Sequence, residues 1–367
     1  MGSAALARCA LRHVSVIGIE QFAPMHEFGA STGESRIIRQ AYFEDAAYVP
    51  LLLRAYDLWR DLERRTDKHL LRLTGLLMTG NETSEVIAGS RAAARLHDLP
   101  VEYLTAGDIR KRFPQLRVQE DEVAVFERAA GVVFPEATIA AHLQIAHAAG
   151  AHTRYGVTLE DWTNSNGTVT LRLSDGSQIG ARAMILTLGP WFEAQFASLG
   201  IPLSIQRNVQ VWFAPSNGSY AADSFPAFLL ERRDQPLLYG FPDLGAGVKA
   251  AFHAYGEITS PAVLRREVDV RADVEPVARA LEEWMPGAAH AVLRSKVCMY
   301  SLTPDRHFVI DCHPQHRNVV ICGGFSGHGY KFASVIGEIA AELALDARTS
   351  HDIRFLSLDR FMRTNQA

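Results

Sequence analysis

The sequence predicts a mixed α/β fold in two parts, a layered half built on parallel strands and an antiparallel sheet set into it. Three observations carry this expectation. Near the end, the apolar run Val319 to Cys322 is about the length of a buried strand. It passes through Gly323, Gly324, Gly327 and Gly329 into Phe332, Val335, Ile336, Ile339 and Leu343 at helical spacing. At the start, Met1 to Arg12 reads as a helix and Val14 to Glu20 as a buried strand ending in an acid. Between these, Val209–Phe213, Leu237–Phe241 and Val248–His253 alternate as strands do in an antiparallel sheet.

The 367 residues suffice for two ordinary domains. A composition 48% hydrophobic and 21% charged supports a real core. The net charge of −4 offers no basis for binding nucleic acid or an anionic membrane. No apolar run is long enough to span a bilayer. Cys9, Cys298, Cys312 and Cys322 are too irregularly spaced for a disulfide framework, so a reducing compartment, the cytoplasm, is expected. Cys312-His-Pro-Gln-His316 is the tightest cluster of metal-type ligands. With no second ligand pair beside it, the cluster reads as a proline turn, and no metal is expected.

In chain order, the first helix and strand look like the later half of a dinucleotide-binding βαβ unit. Glu20 stands where that unit bonds the adenosine ribose, and Gly2 stands as the third glycine of Gly-x-Gly-x-x-Gly. A complete fingerprint would need roughly a dozen residues before Met1, so the chain is expected to begin inside the motif. Arg36 and Arg39 then flank Ile37 and Ile38, which suggests charge held in a partly buried place. A surface arginine pair on a helix would share that spacing. From Tyr42 to Thr66 an amphipathic helix places Val49, Leu52, Leu53, Tyr56, Trp59 and Leu62 on a core-facing side.

Residues 70–135 alternate short strands and helices without a catalytic constellation. A helix over Thr138–Ala148 and a strand near Thr153–Glu160 follow, then a hairpin turn at Asn164–Gly167. Ala183 to Leu188 is another buried strand, entering a glycine turn at Gly189. Lys249 and His253, four apart on a strand, share one face. A strand lysine is ordinarily exposed to solvent, and a cysteine such as Cys298 in apolar surroundings is ordinarily a small buried side chain. The late glycine loop is different. Ser326, His328 and Lys331 crowd it, a plain structural turn has no need of them, and a strand–loop–helix suits an anionic group.

Three segments in this order resemble the sarcosine oxidase family, which includes N-methyltryptophan oxidase and pipecolate oxidase. They are Gly33-Glu-Ser-Arg-Ile-Ile-Arg39, Cys298-Met-Tyr300, and Gly324-Phe-Ser-Gly-His-Gly-Tyr-Lys331. The resemblance runs from Gly2 to Arg360. It implies an FAD-binding Rossmann-like domain of glutathione-reductase type over residues 1–70, 136–198 and 292–367, without its first strand. An antiparallel-sheet substrate domain would take 71–135 and 199–291. FAD would lie along Gly2, Glu20, Ser35, Val157, Gly324, Ser326, Gly327, His328 and Gly329, bound covalently through Cys298. Arg39 and Lys331 would hold the substrate carboxylate, near Thr32, which replaces a histidine of many relatives. Lys249 would promote reaction with O2, Arg36 would stay by the flavin, and Tyr239 and His253 would line the pocket. His13 stands where the family usually closes its first helix with glycine.

The resemblance further implies FAD-dependent oxidation of a secondary amino acid: sarcosine, an N-methyl-L-amino acid such as N-methyltryptophan, or L-pipecolate. Hydride would pass to flavin N5 and O2 would become H2O2, in a monomer. Two other readings fit the same residues. One is a dehydrogenase with another electron acceptor. The other is a shortened, non-catalytic chain that binds no FAD.

Overall fold

Apolar side chains divide between two separate cores, and the elements that carry them sort accordingly. The computed structural model describes residues 1–362. Helix α1 (Gly2–Ala10) leads to strand β1 (Ile17–Glu20), followed by β2 (Arg36–Ile38) and α2 (Val49–Thr66). Strands β3 (Leu76–Asn81) and β4 (Glu122–Glu127) precede α3 (Pro135–Ala148), β5 (His152–Tyr155) and β6 (Met184–Leu186). Next come β7 (Ser204–Ala214), β8 (Ala227–Leu230), β9 (Leu238–Phe241), β10 (Val248–Phe252) and α4 (Glu275–Trp284). The chain returns through β11 (Ala291–Leu302), β12 (Val309–Cys312), β13 (Val319–Gly323) and α5 (Ala333–Asp346).

The first core packs α1, α2 and α5 over β12 and β13. Helix α2 starts with proline in its first turn, where no N–H is needed, and ends at Asp67 in the left-handed region. It buries Leu52, Tyr56, Trp59 and Leu62, and the Trp59 indole N–H donates to the Lys331 carbonyl at 2.9 Å. Leu53, expected on the same face, is 40% exposed, because one residue turns a helix by about 100° away from Leu52. Strand β6 pairs in parallel with β13, which pairs antiparallel with β12. Strand β1 pairs in parallel with β5. The strand expected over Val14–Glu20 begins only at Ile17, and it is half-buried rather than buried. Among the described residues β5 is its one ladder neighbour, and its residues border a large cavity.

The second core lies on a nine-stranded sheet. Its order runs from Ile258–Thr259 through β7, β10, β9, β8, β3 and β4 to Glu102–Leu104, with β11 also pairing with β7. Helix α4 covers it with Val277, Leu281 and Trp284. The sheet was expected to be antiparallel, and its pairs are, apart from β3 with β8, which run parallel. Strands β3 and β8 are distant in sequence, so no hairpin dictates their relative direction. The sheet also takes in β11, across the expected boundary at residue 292. Strand β11 pairs with β7 from Ser204↔Leu302 to Ala214↔Ala291, and two long strands gain more by completing that ladder than by parting early. The strand expected near Thr153–Glu160 splits into β5 and Leu159–Ser165. The latter turns at Asn166 and Gly167, both with positive φ, into Thr168–Leu173.

His13, just after α1, adopts φ 58 while its N–H bonds the Ala10 carbonyl at 2.9 Å. A residue with a Cβ is strained in that region, by roughly 1 kcal/mol. His13→Gly should therefore raise the unfolding free energy by about 0.5–1 kcal/mol in urea titrations. An unchanged midpoint would show that the strain is absent.

Candidate active site

The arginine loop is shaped before its arginines do anything. Glu136, in the first turn of α3, accepts the N–H groups of Gly33 at 3.0 Å and Glu34 at 3.1 Å. Gly33 turns the chain at φ 105, and a Cβ there would lie 2.2 Å from the Gln210 Oε1. Strand β2 then pairs with Gly131–Val133 and aims both arginines. Arg36 donates to the carbonyls of Ala30, Thr32 and Ser35, at 2.5 to 2.8 Å, and so staples the loop. Arg39 is 3% exposed. It donates to the Ala41 carbonyl at 2.9 Å and to Glu44 Oε2 at 2.5 Å, between the rings of Tyr42 and Phe43. Burial alone would raise the Glu44 carboxyl, but Arg39 together with the nearby His328 and Lys331 holds the group at about 2.

Lys249 departs from the ordinary strand lysine. Strand β10 runs between β7 and β9, so the side chain is only 2% exposed. Its Nζ donates to Gly33 O at 2.6 Å, Ser35 O at 3.1 Å and Ser35 Oγ at 3.2 Å. Burial, with Arg36 nearby, pushes its pKa well below the usual range. His253, one residue beyond β10, has its ring 5.5 Å from Tyr300 and 6.3 Å from Tyr239. Burial lowers His253 to about 4, so it is neutral at pH 7.

After β13, Gly324 (φ 62), Ser326 (φ 46) and Gly327 (φ 81) form a left-handed loop. At Gly327 a Cβ would lie 2.3 Å from the Tyr300 ring, so only glycine fits. The Ser326 hydroxyl bonds Gly324 O at 3.2 Å and Thr303, which keeps it inside the turn. His328 Nε2 meets the Arg306 carbonyl at 3.0 Å, and a carbonyl only accepts. The proton therefore sits on Nε2, and Nδ1 accepts the Tyr42 hydroxyl. Burial holds His328 neutral, down to about 3. Lys331 Nζ donates to His328 O at 2.7 Å, and burial plus Arg39 lower its pKa to about 7.

These elements enclose two adjoining spaces. A cavity of about 1450 Å³ is bordered by Gly2, Glu20, Val157, Arg36, Gly327 and Gly329. A pocket of about 60 Å³ brings together Arg39, Tyr239, His253, His328 and Lys331. Arg36, Tyr300, Gly327 and Tyr330 border both. Thr32, Ser35, Lys249 and Cys298 are buried behind these walls, and Gly324 and Ser326 serve the turn. Glu44, Phe43 and Gln210 were missed in the sequence reading. An acid five residues after Arg39 was a usable signal for Glu44, and a lone amide within Val209–Phe213 was one for Gln210.

The profile of the FAD dependent oxidoreductase family matches residues 1–343. Monomeric sarcosine oxidase of Streptomyces avermitilis is 40% identical over 359 residues, covering 96% of this chain and 93% of that one. N-methyl-L-tryptophan oxidase of Yersinia pestis is 32% identical, covering 98% and 96%. Among solved structures, NikD, described as an unusual amino acid oxidase essential for nikkomycin biosynthesis, superposes with a TM-score of 0.85 at 24% identity, covering 97% and 94%. L-proline dehydrogenase from P. horikoshii gives 0.85 at 20%, covering 99% and 95%. Both structures share the fold.

The lowered Lys331 pKa has a testable sign. Its charge is present below about 7 and is lost as pH rises through that value. A small carboxylate without an amine, such as propionate, should bind the pocket best near pH 6. Its dissociation constant should rise by up to about tenfold per pH unit above 7. Lys331→Met should flatten that slope, and an equal slope in both proteins would remove Lys331 from the anion site.

Proposed function

The chain belongs to the FAD-dependent oxidoreductase family, and on that premise we propose that it oxidises a small secondary amino acid with O2 as acceptor and H2O2 as product. The observation that carries this is the meeting of Arg39 and Lys331 in one pocket that shares Arg36 with the large cavity. The cavity fits FAD. It is lined by the Glu20 carboxylate at the end of β1 and by Arg36 and the Gly327 turn on the side shared with the small pocket. Bound FAD would accept a hydride at N5 from the carbon beside the amine and pass the electrons to O2.

The protein's part is positioning and electrostatics. Arg39 can take both oxygens of a carboxylate in its planar fork, and Lys331 adds a second cation. Neutral His253 can accept a hydrogen bond from the substrate amine, beside Tyr239. Lys249, next to Ser35 and Arg36, would stabilise negative charge forming on O2. Gly2, Glu20, Val157, Gly327 and Gly329 would hold FAD, with Gly324 and Ser326 shaping the loop, Ser35 and Thr32 behind the wall, and His328 bracing it from the small pocket. Cys298 would carry it covalently. The pocket's 60 Å³ holds about five waters, which favours sarcosine over an indole-bearing N-methyltryptophan. Relatives named monomeric support a monomer. The four cysteines are unpaired, which favours the cytoplasm, and no described helix is long and apolar enough to cross a membrane.

The FAD-loaded protein should release peroxide with sarcosine faster than with L-pipecolate or N-methyltryptophan. Reduction by substrate without peroxide would instead indicate a dehydrogenase. Arg39→Gln should raise KM by about a hundredfold, the scale of a lost charge-assisted pair. In stopped flow, Lys249→Met should leave anaerobic reduction nearly unchanged and slow reoxidation by O2 about a hundredfold. Equal slowing of both half-reactions would contradict the assigned role. Acid precipitation should keep flavin on the wild-type polypeptide and release it from Cys298→Ser.

A further inference from the structure

Gln210 sits in the middle of β7 and is 2% exposed. Its Nε2 donates to Cys298 Sγ at 3.5 Å across the β7–β11 ladder, in which Asn208 is the direct partner of Cys298. The same side chain interacts with the Tyr239 phenol, which in turn meets Tyr300. Its Oε1 is buried without a hydrogen-bond partner, as is Thr32 Oγ1 in the neighbouring loop. An orphaned buried carbonyl is costly, and a leucine or methionine would fill this space without that cost. Packing therefore does not account for an amide here. The contact its nitrogen makes does.

We infer that Gln210 is the positioning residue for Cys298, fixing its sulfur just behind the wall of the large cavity and stabilising its thiolate for thioether formation with the flavin. This rests on the reading of Cys298 as the attachment point. Met299 and Tyr300, next along β11, border the large cavity, and Cys298 lies just behind that wall. Burial raises the Cys298 thiol above its ordinary value, whereas Arg36, Lys249, Gln210 and Arg207 act in the opposite sense. The Tyr239 and Tyr300 phenols complete its titratable surroundings. Arg36 is engaged with its own loop, Arg207 with Asp273, and Lys249 with the Gly33 and Ser35 carbonyls. Gln210 is the group that hydrogen-bonds the sulfur.

In the attachment step the sulfur bonds to the flavin's 8α methyl carbon. The thiol and that carbon each give up one hydrogen. These two protons and two electrons reduce the ring and then pass to O2, which becomes H2O2. The thiolate is the reactive form, so the rate follows its fraction.

The test uses full-length apoprotein mixed with FAD in air, acid-precipitated at intervals, with flavin read in the pellet across pH. Gln210→Met keeps the volume without the donor, and Gln210→Glu keeps the shape with an acceptor only. At pH 8 the methionine variant should attach flavin about tenfold more slowly, with the gap closing as pH rises through the thiol's titration. The glutamate variant should be slower still. Noncovalent FAD affinity should stay unchanged, and a merely structural defect would not be rescued by pH. In parallel, methyl methanethiosulfonate labelling of Cys298, read by mass spectrometry, should move to higher pH by about one unit in Gln210→Met. Identical pH profiles in wild type and both variants would overturn the inference. A wild-type pellet without flavin would overturn the attachment reading instead. The labelling shift alone then decides Gln210: a shift upholds its pairing with the thiol, and no shift refutes it.

Discussion

Arg36, Arg39, Lys249 and Lys331 converge where the two cores meet, and within the small pocket Glu44 is the carboxylate that answers them. Removing cations from water is expensive, and the surrounding structure shows how each is accommodated. Arg36 and Lys249 spend their donors on loop carbonyls. Lys331 bonds the His328 carbonyl and loses much of its basicity. Among the described residues, Arg39 is the one of the four that forms an ion pair, with Glu44. A site with this excess of positive charge favours any anion that enters, and a carboxylate is the smallest one an amino acid offers.

The fold around the site follows from that requirement. Loop carbonyls can serve as acceptors only if the loop is held rigidly, and Glu136 and Gly33 hold it. Lys249 can be buried only at the centre of a sheet, which β7 and β9 supply on its two sides. Strand β11 completes the arrangement. It lies in the ladder with β7, carries Cys298 and Tyr300 on one face, and continues into β12 of the first core. The two cores are thus joined by the strand that also borders the site.

Local patterns were readable where one element decided the outcome. The run Val319–Cys322, the glycines after it and the helical spacing from Phe332 gave the strand, loop and helix nearly residue for residue. Leu53 was misjudged because α2 has apolar residues on more than one side, and only its neighbours settle which ones are covered. The apolar run from Val14 enters the strand only at Ile17, because ladder partners, not hydrophobicity, decide where pairing starts. Glu44 and Gln210 escaped notice because an acid in a loop and an amide in a strand are ordinary until their partners are known.

Sequence alone determined the kind of chemistry available: two arginines beside an apolar pair, a lysine after a glycine loop, and an unpaired cysteine before a tyrosine. Residue type and short spacing suffice there, because charge and nucleophilicity belong to side chains. Tertiary structure decided their state. Whether Lys249 is solvated or buried, whether Lys331 is charged at pH 7, and which group touches Cys298 all depend on strands far apart in the chain. Desolvation and hydrogen bonding act through space, and only the packed sheet brings Gly33, Gln210, Lys249 and Cys298 to one point.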